Sequence, residues 1–239
     1  MKKKNAFTLA EVLITLGIIG IVAAMTLPAI IYKQNDKEAV TRLKKMYSTL
    51  ENAYNVAIVE NGSPDTWSNN PADTPNVFAN ILEPYLKIVG KHSNKVQVKF
   101  LSYKEQTSYN EYPKKVFKLA DGSEYVFVSL YSTSESSAKC SGNMNGKSLN
   151  ECIWVLADIN GVEKQPNRIG EDMFYFILTK SKVYPVGVVG YWGANTCRPD
   201  KSSDQGTGYG CTAYVLLHEN RDYLKCKTGK EAICGKIKY

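Results

Sequence analysis

One uninterrupted apolar run near the N-terminus constrains this chain more than any other feature of its sequence. Residues 12–31 (VLITLGIIGIVAAMTLPAII) contain no charged side chain. As a helix that rises about 1.5 Å per residue, a run of this length spans about 30 Å, the thickness of the hydrocarbon core of a bilayer. It is longer than the apolar region of about 7–15 residues in a typical secretory signal peptide. The sequence therefore predicts a transmembrane helix segment over residues 7–32.

The charges that flank this run predict its orientation. Lys2, Lys3 and Lys4 precede it, and no basic residue follows until Lys33. Positive charge is retained on the cytoplasmic side of a membrane helix, so we expect a single-pass protein of the cytoplasmic membrane with its N-terminus inside and its head outside, in the periplasm or at the cell surface. Beyond the first four residues, 27 basic residues face 23 acidic ones. A balance this mild, without a long basic run, gives no indication of nucleic-acid binding.

The cysteines give independent evidence for an oxidising compartment. All six lie in the last hundred residues, none forms a CxxC pair, and His92 and His218 are isolated in sequence. That spacing argues against a zinc site, so we interpret the cysteines as disulfides, which form outside the cytoplasm. Six cysteines allow fifteen pairings, and buried free thiols are a further alternative. Pairing of sequence neighbours is favoured: Cys140 with Cys152, Cys197 with Cys211, and Cys226 with Cys234.

Helical periodicity continues beyond the apolar run, over residues 33–61. Apolar side chains recur at three- and four-residue steps, and charged side chains occupy the other face. The pattern predicts an amphipathic helix that is continuous with the membrane segment and ends near Gly62. Two separate helices, joined at Pro28 or near residues 34–36, are the alternative, because a proline inside a helix removes one backbone hydrogen bond and kinks it. The recurring apolar residues are Val40, Leu43, Met46, Tyr47, Leu50, Ala53, Tyr54 and Ala57.

Residues 62–239 are predicted to form an extracytoplasmic globular head, rich in disulfides from residue 140. Helical spacing over residues 77–89 is interrupted by Pro84, and residues 213–224 are predicted as a short helix or as a strand and a turn. We expect an α+β fold in which the second half of the long N-terminal helix packs on an antiparallel β-sheet with disulfide-pinned loops. The predicted strands cover residues 96–100, 116–119, 125–130, 152–159 and 173–179.

Residues 6–11 (AFTLAE), between the lysines and the apolar run, carry the most specific motif of the chain. They resemble the processing motif of type IV pilins and type II secretion pseudopilins. In that family the prepilin peptidase cuts after a small residue, usually Gly, and N-methylates the new first residue, usually Phe. The resemblance implies a leader over residues 1–6 that ends at Ala6, and a mature N-terminus at Phe7. It also implies that Glu11 is the family's assembly glutamate and that Pro28 is a proline found in many pilins.

Glu11 lies at the start of the apolar run, where a carboxylate that faces lipid unpaired costs a few kcal/mol. At the headgroup level that cost is small. Cleavage before Phe7 creates a free ammonium about one helical turn from Glu11. In a filament, the carboxylate of one subunit can meet the ammonium of a neighbour in a low-dielectric core, where the attraction is strong although desolvation offsets part of it. We expect Glu11 to fix the register between subunits.

A polar segment between two predicted strands, residues 158–174, offers candidate metal ligands. Its DxNG turn and PNxxGxDxF stretch are similar to a segment seen in pseudopilin-like heads. The side-chain oxygens of Asp158, Asn160 and Asp172, together with Glu171, are of the type that Ca²⁺ prefers, although the spacing is not that of an EF-hand. Turn chemistry alone is the alternative reading of these residues. No other cofactor is expected.

The sequence shows no enzymatic pattern. Glycines 206, 208 and 210 lie in a predicted disulfide loop and not between a strand and a helix, and no Ser or Cys has an evident base. We therefore expect a structural subunit. The resemblance implies as partners copies of the chain, other pilin-like subunits, the prepilin peptidase, the inner-membrane assembly machinery and the lipid bilayer. The 158–174 segment favours a type II secretion pseudopilus; a type IV pilin for adhesion, motility or DNA uptake, and a secreted or membrane-anchored binding domain, are the alternatives.

Overall fold

The computed structural model describes residues 8–70, 72–93, 95–102, 109–113, 115–128, 140–144, 147–188, 193, 196–201 and 208–234. The chain forms two compact units, Met1–Glu38 and Ala39–Tyr239. The first helix, α1 (Leu9–Asn61), contributes residues to both.

α1 is one helix with Pro28 in its interior. The predicted long N-terminal helix is confirmed, and the alternative of two helices is wrong, because a proline forfeits one hydrogen bond without ending the helix on either side. The kink predicted at Pro28 stays a prediction. In the second unit, α1 buries one stripe at three- and four-residue steps, which is the predicted amphipathic face: Ala39, Val40, Leu43, Met46, Leu50, Ala53, Tyr54 and Ala57.

The other helical elements are short. α2 spans Thr74–Leu82 and is followed directly by a 3₁₀ turn, Glu83–Tyr85, that contains Pro84. The helical spacing that the sequence suggested as far as residue 89 is therefore wrong beyond this turn, where a strand begins. α3 spans Cys211–His218, and a second 3₁₀ turn covers Asp222–Lys225. The helical alternative for residues 213–224 is thus correct for the first half of that range.

The described residues form nine strands, all paired antiparallel. The main sheet has the order β1-β4-β5-β7-β8-β9, with β6 also paired to β7, and β2 and β3 form a separate two-stranded sheet. The strands are β1 (Ile88–His92), β2 (Lys95–Lys99), β3 (Tyr109–Pro113), β4 (Val116–Leu119), β5 (Glu124–Val128), β6 (Gly142–Met144), β7 (Lys147–Asp158), β8 (Met173–Thr179) and β9 (Val183–Pro185).

The two faces of the main sheet are both buried, in two separate hydrophobic clusters. Alternate residues along a strand point to opposite faces, so Phe174 and Phe176 of β8 lie in the cluster that includes α1, α2 and α3. Met173 and Tyr175 lie in the other cluster, with Val96 of β2. Coverage of both faces explains why every residue of β8 is buried. The expected α+β architecture, a helix packed on an antiparallel sheet, is confirmed.

Three disulfides pair each cysteine with its neighbour in sequence. No cysteine is free, which removes the alternative of buried thiols. One disulfide links the turn before β6 to β7, and another fixes the first residue of α3. The pairs are Cys140 with Cys152, Cys197 with Cys211, and Cys226 with Cys234.

Candidate functional site

The N-terminal motif begins outside the described residues, since Ala6 and Phe7 precede Thr8, the first residue described. Thr8 is the N-cap of α1. Its hydroxyl accepts a hydrogen bond from the backbone N–H of Glu11 (3.2 Å), and Oε2 of Glu11 accepts from the backbone N–H and the hydroxyl of Thr8, both at 2.8 Å. This reciprocal arrangement is a capping box, which satisfies donors that a helix start leaves unpaired.

The capping box leaves the charge of Glu11 without a positive partner among the described residues. Both contacts are made by Oε2, and Glu11 forms no ion pair with any residue in the described part of the chain. The side chain is exposed. A second function, pairing with a positive group from another molecule, is therefore compatible with the cap, because Oε1 and the full negative charge remain available.

The apolar segment that follows Glu11 exposes its side chains around the whole helix. A helix that is hydrophobic on all sides requires lipid or other helices around it. At Gly17 and Gly20, an added methyl group would meet no atom within 4 Å. By length and composition, α1 is the one helix in the described part of the chain that is able to cross a membrane. Its exposed large apolar residues include Leu13, Ile14, Leu16, Ile18, Ile19, Ile21, Val22, Met25, Leu27, Ile30 and Ile31.

The 158–174 segment lies at one end of the main sheet. Asp158 is the last residue of β7, and its strand partners are Glu124 of β5 and Met173 of β8. Asp172 directly precedes β8. Strand pairing therefore gathers three acidic residues from distant parts of the sequence, and all three are buried, with Asp158 at 0 %, Glu124 at 1 % and Asp172 at 4 % exposure.

The two aspartates accept different backbone hydrogen bonds. Oδ1 of Asp158 accepts from the N–H groups of Asn160 (3.0 Å) and Gly161 (2.8 Å), as in an Asx turn. Oδ2 of Asp158 has no hydrogen-bond partner among the described residues. The carboxylate of Asp172 accepts from the N–H groups of Asn167 (2.9 Å) and Arg168 (2.6 Å). The sequence-predicted candidates Asp158, Asn160 and Asp172 are thus brought together.

Burial dominates the electrostatics of these aspartates. It raises the pKa of Asp158 well above its usual range, and the neighbouring Asp172 raises it further. Burial also raises the pKa of Asp172 to about 6, against the lowering effect of the two backbone N–H groups. Neither carboxylate is in an ion pair with a described residue. The pair is therefore an acidic site that lacks a compensating positive charge within the described chain.

Glu124 and Glu171 have other partners. Glu124 accepts a hydrogen bond from the N–H of Val162 (3.1 Å) and has Nε2 of His92 at 3.7 Å and Nζ of Lys118 at 3.9 Å. Glu171 pairs with Arg168, 3.2 Å away, so the sequence-predicted ligand Glu171 is engaged elsewhere.

One further grouping of potential ligand side chains occurs in the described residues. The sulfurs of Cys226 and Cys234 lie close to the carboxylate of Glu231. Because the two sulfurs are joined in a disulfide, they are not available as thiolate ligands.

Two family models match separate parts of the chain. Residues 1–27 match the prokaryotic N-terminal methylation motif, the prepilin signal of type IV pilins and pseudopilins. Residues 29–185 match a family described as a family of unknown function (DUF6613), and this match covers more than half of the chain. The chain belongs to family DUF6613. No curated protein and no solved structure is significantly similar to it.

The DUF6613 match runs from the middle of α1 to the end of β9, and it contains the 158–174 segment. The methylation motif lies before it. This DUF6613 chain is therefore pilin-like at its N-terminus, and the motif together with the apolar part of α1 indicates an N-terminally anchored, membrane-associated protein.

Sequence reasoning missed Glu124 and Asn167 as members of this region. The sequence could have identified Asn167, because this residue is the Asn of the PNxxGxDxF stretch. No sequence motif identifies Glu124, since only the pairing of β5 with β7 brings it beside Asp158.

Proposed function

We propose that this chain is a structural subunit of a type II secretion pseudopilus. In this proposal the prepilin peptidase cuts between Ala6 and Phe7 and methylates Phe7. The mature subunit waits in the cytoplasmic membrane with its head outside and then joins a filament that supports protein secretion. The observation that carries the proposal is the prepilin signal placed directly before a long helix that exposes apolar side chains on all sides.

The exposed apolar segment supports assembly as well as anchoring. In the membrane these side chains contact lipid; in a filament they contact the same segments of neighbouring subunits. Gly17 and Gly20 permit close approach of a neighbouring helix, since no atom of the described chain occupies the space beside them. A role in a bundle of identical helices follows without any catalytic group, so the proposed function is structural and not enzymatic.

Glu11 supplies the register of that bundle. Its charge has no positive partner in the part of the chain that the structure describes, and burial of an unpaired carboxylate is costly. A subunit placed so that Glu11 meets the Phe7 ammonium of a neighbour avoids that cost, whereas a misplaced subunit incurs it. The secretion role, as opposed to a type IV pilus, is supported by the likeness of the 158–174 segment to pseudopilin-like heads.

The test of processing is the N-terminal residue of the mature protein, determined by mass spectrometry on the membrane fraction of the native host. We expect N-methylated Phe7. Replacement of Ala6 by Gly is expected to preserve cleavage, and replacement by Leu to retain the leader, because the peptidase cuts after small residues. A terminus near Met25 or Ile30, in a soluble fraction, would contradict the proposal and indicate a secreted domain.

The test of the secretion role is deletion of the gene, with complementation by the wild type and by Glu11→Gln. We expect loss of protein secretion, with adhesion, motility and DNA uptake unchanged, restored by the wild type alone. Loss of adhesion, motility or DNA uptake with normal secretion would identify a type IV pilin instead.

A further inference from the structure

Three buried side-chain oxygens in the 158–174 segment have no hydrogen bond to any described residue. They are Oδ2 of Asp158, Oδ1 of Asn160 and Oδ1 of Asn167. Asp158 is fully buried and Asn167 is only 5 % exposed. Buried polar atoms are nearly always paired. The two amide oxygens can only accept, and so can the oxygen of Asp158 when that carboxyl is ionised. Their common requirement is a donor or a cation.

These atoms belong to one connected cluster. The N–H of Asn160 donates to Asp158, and the side chain of Asn160 is near enough to Asp172 to lower the pKa of that carboxyl. The N–H of Asn167 donates to the same carboxylate of Asp172, at 2.9 Å. Two hydrogen bonds and the influence of Asn160 on Asp172 therefore link the four residues as neighbours at the end of β7.

We infer that Asp158, Asn160, Asn167 and Asp172 form a binding site for a hard divalent cation, Ca²⁺ in particular. Two carboxylates balance its charge. Oδ2 of Asp158 and the two amide oxygens are unused acceptors, and each oxygen of Asp172 retains a lone pair beside its backbone hydrogen bond. Ca²⁺ accepts six to eight oxygens in irregular geometry, with carbonyls and water completing the shell, whereas Mg²⁺ demands a near-ideal octahedron.

Turn chemistry accounts for only part of this arrangement. It explains Oδ1 of Asp158, which caps the turn at Asn160 and Gly161, and the backbone bonds to Asp172. It provides no hydrogen-bond partner for the three unpaired oxygens. It also leaves two buried carboxylates near each other without an ion pair to any described residue, an arrangement that a divalent cation converts from repulsive to attractive.

Occupancy in the cell depends on the proposed location of the head. Extracellular modules bind Ca²⁺ with dissociation constants of about 10⁻⁴–10⁻³ M, which suits an extracytoplasmic compartment. Binding by the purified chain does not depend on that location, so the two proposals fail separately.

The direct test is a calorimetric titration of the full-length chain in detergent, freed of metal with EDTA, against CaCl₂. We expect one Ca²⁺ per chain with a dissociation constant of about 10⁻⁴–10⁻³ M. In parallel, about 10 mM CaCl₂ should favour the folded state roughly 10- to 100-fold and raise Tm by several degrees. MgCl₂ at equal ionic strength should raise it much less.

Matched variants locate the site. Asp158→Asn keeps the acceptor that caps the turn but removes one charge, so we expect the calcium-dependent rise in Tm to disappear while Tm in EDTA is equal or higher. Glu163→Gln changes an exposed residue of the same segment (84 % side-chain exposure) and should retain the full rise.

Absence of saturable heat in the wild type, with the same Tm in CaCl₂, MgCl₂ and EDTA, would overturn the inference and leave a shared proton or a buried water as the partner of these oxygens. A calcium-dependent rise that persists in Asp158→Asn would also overturn it, since binding would then lie elsewhere. Should that variant fail to fold, the wild-type titration and Asn160→Ala, which removes one neutral ligand, decide the question.

Discussion

The hydroxyl of Tyr54 in α1 donates a hydrogen bond of 2.6 Å to the backbone carbonyl of Thr179, the last residue of β8. A second bond of 2.6 Å runs in the opposite direction, from the hydroxyl of Tyr125 in β5 to the carbonyl of Met46 in α1. Both tyrosines are fully buried. Because each bond ends at a backbone atom, the two together fix the rotation and translation of the buried half of α1 on the sheet.

Loss of the hydrogen bond from Tyr54 to Thr179 should lower the stability of the head by a measurable amount. We expect Tyr54→Phe to lower the free energy of unfolding by about 1 kcal/mol, the usual net contribution of a hydrogen bond within a protein. The measurement is denaturant unfolding of the full chain in detergent. Tyr85→Phe removes an exposed bond to Glu60 and should change stability by less than about 0.5 kcal/mol. Equal effects of the two variants would contradict the positioning role of Tyr54.

The apolar stripe of α1 should carry much of the stability of the head. Leu43 is fully buried in the cluster between α1 and the sheet, so Leu43→Ala is expected to cost about 2–5 kcal/mol. Val59→Ala, on an exposed face of the same helix, should be nearly neutral. The comparison is made by the same unfolding measurement. A small effect at Leu43 would mean that α1 does not depend on this packing.

Two variants separate the charge of Glu11 from its cap. Glu11→Gln retains a side chain that completes a capping box, so processing at Phe7 and helix content should be unchanged while filament assembly is lost. Thr8→Ala removes the cap at a cost of about 0.5–2 kcal/mol but keeps the charge, so assembly should persist. Sheared filaments and mass spectrometry of the N-terminus give the readouts. Normal assembly of Glu11→Gln would exclude a role for its charge.

Glu151 of β7 should make the head less stable as pH rises. Burial raises its pKa to about 7, although Nε1 of Trp154 donates to its carboxylate at 3.2 Å. The unfolded chain, with a pKa of about 4.3, releases this proton earlier, so the folded state binds more protons between these two values. The stabilising contribution is complete below about pH 4 and is lost as pH rises through 7.

Glu151→Gln should therefore flatten the decline of Tm between about pH 5 and pH 8 and raise Tm at the upper end. The decline of Tm with pH should not vanish in this variant, because the raised pKa values of Asp158 and Asp172 also make the folded state less stable as pH rises. Glu163→Gln provides the control and should leave the profile unchanged. A profile for Glu151→Gln that matches the wild type would show that Glu151 remains ionised in the folded state.

Strong local patterns predicted the elements of the fold best. The limits of β4 follow from an apolar segment that ends before an Asp-Gly turn, and those of β8 from a run of apolar and aromatic residues; the observed strands coincide with both predictions. β7 was expected to begin at Cys152 but begins at Lys147, because its first residues are polar and are held by pairing with β6. β3 was missed for the same reason, since polar residues and Pro113 obscure a strand defined by its partner.

In the candidate cation site, too, the sequence predicted the local feature but not the one that depends on strand pairing. Asp158, Asn160 and Asp172 were identified from the chemistry of their side chains within one short segment. The burial of the two aspartates could not be inferred, because it results from the pairing of β5, β7 and β8 and from the packing of both faces of the sheet. The sequence alone does not distinguish an exposed acidic turn from a buried acidic binding site, because the same side chains can form either.

The strand order of the main sheet has a consequence for the growing chain. The strands β4, β5, β7, β8 and β9 pair in the order in which they occur along the chain, and the six cysteines bond as three consecutive pairs. A chain that emerges N-terminus first therefore meets each partner already present, and its disulfides join cysteines only 8 to 14 positions apart. We expect the three disulfides to form one after another, in the order in which their cysteines are synthesised. No mispaired disulfide should then need correction by an isomerase.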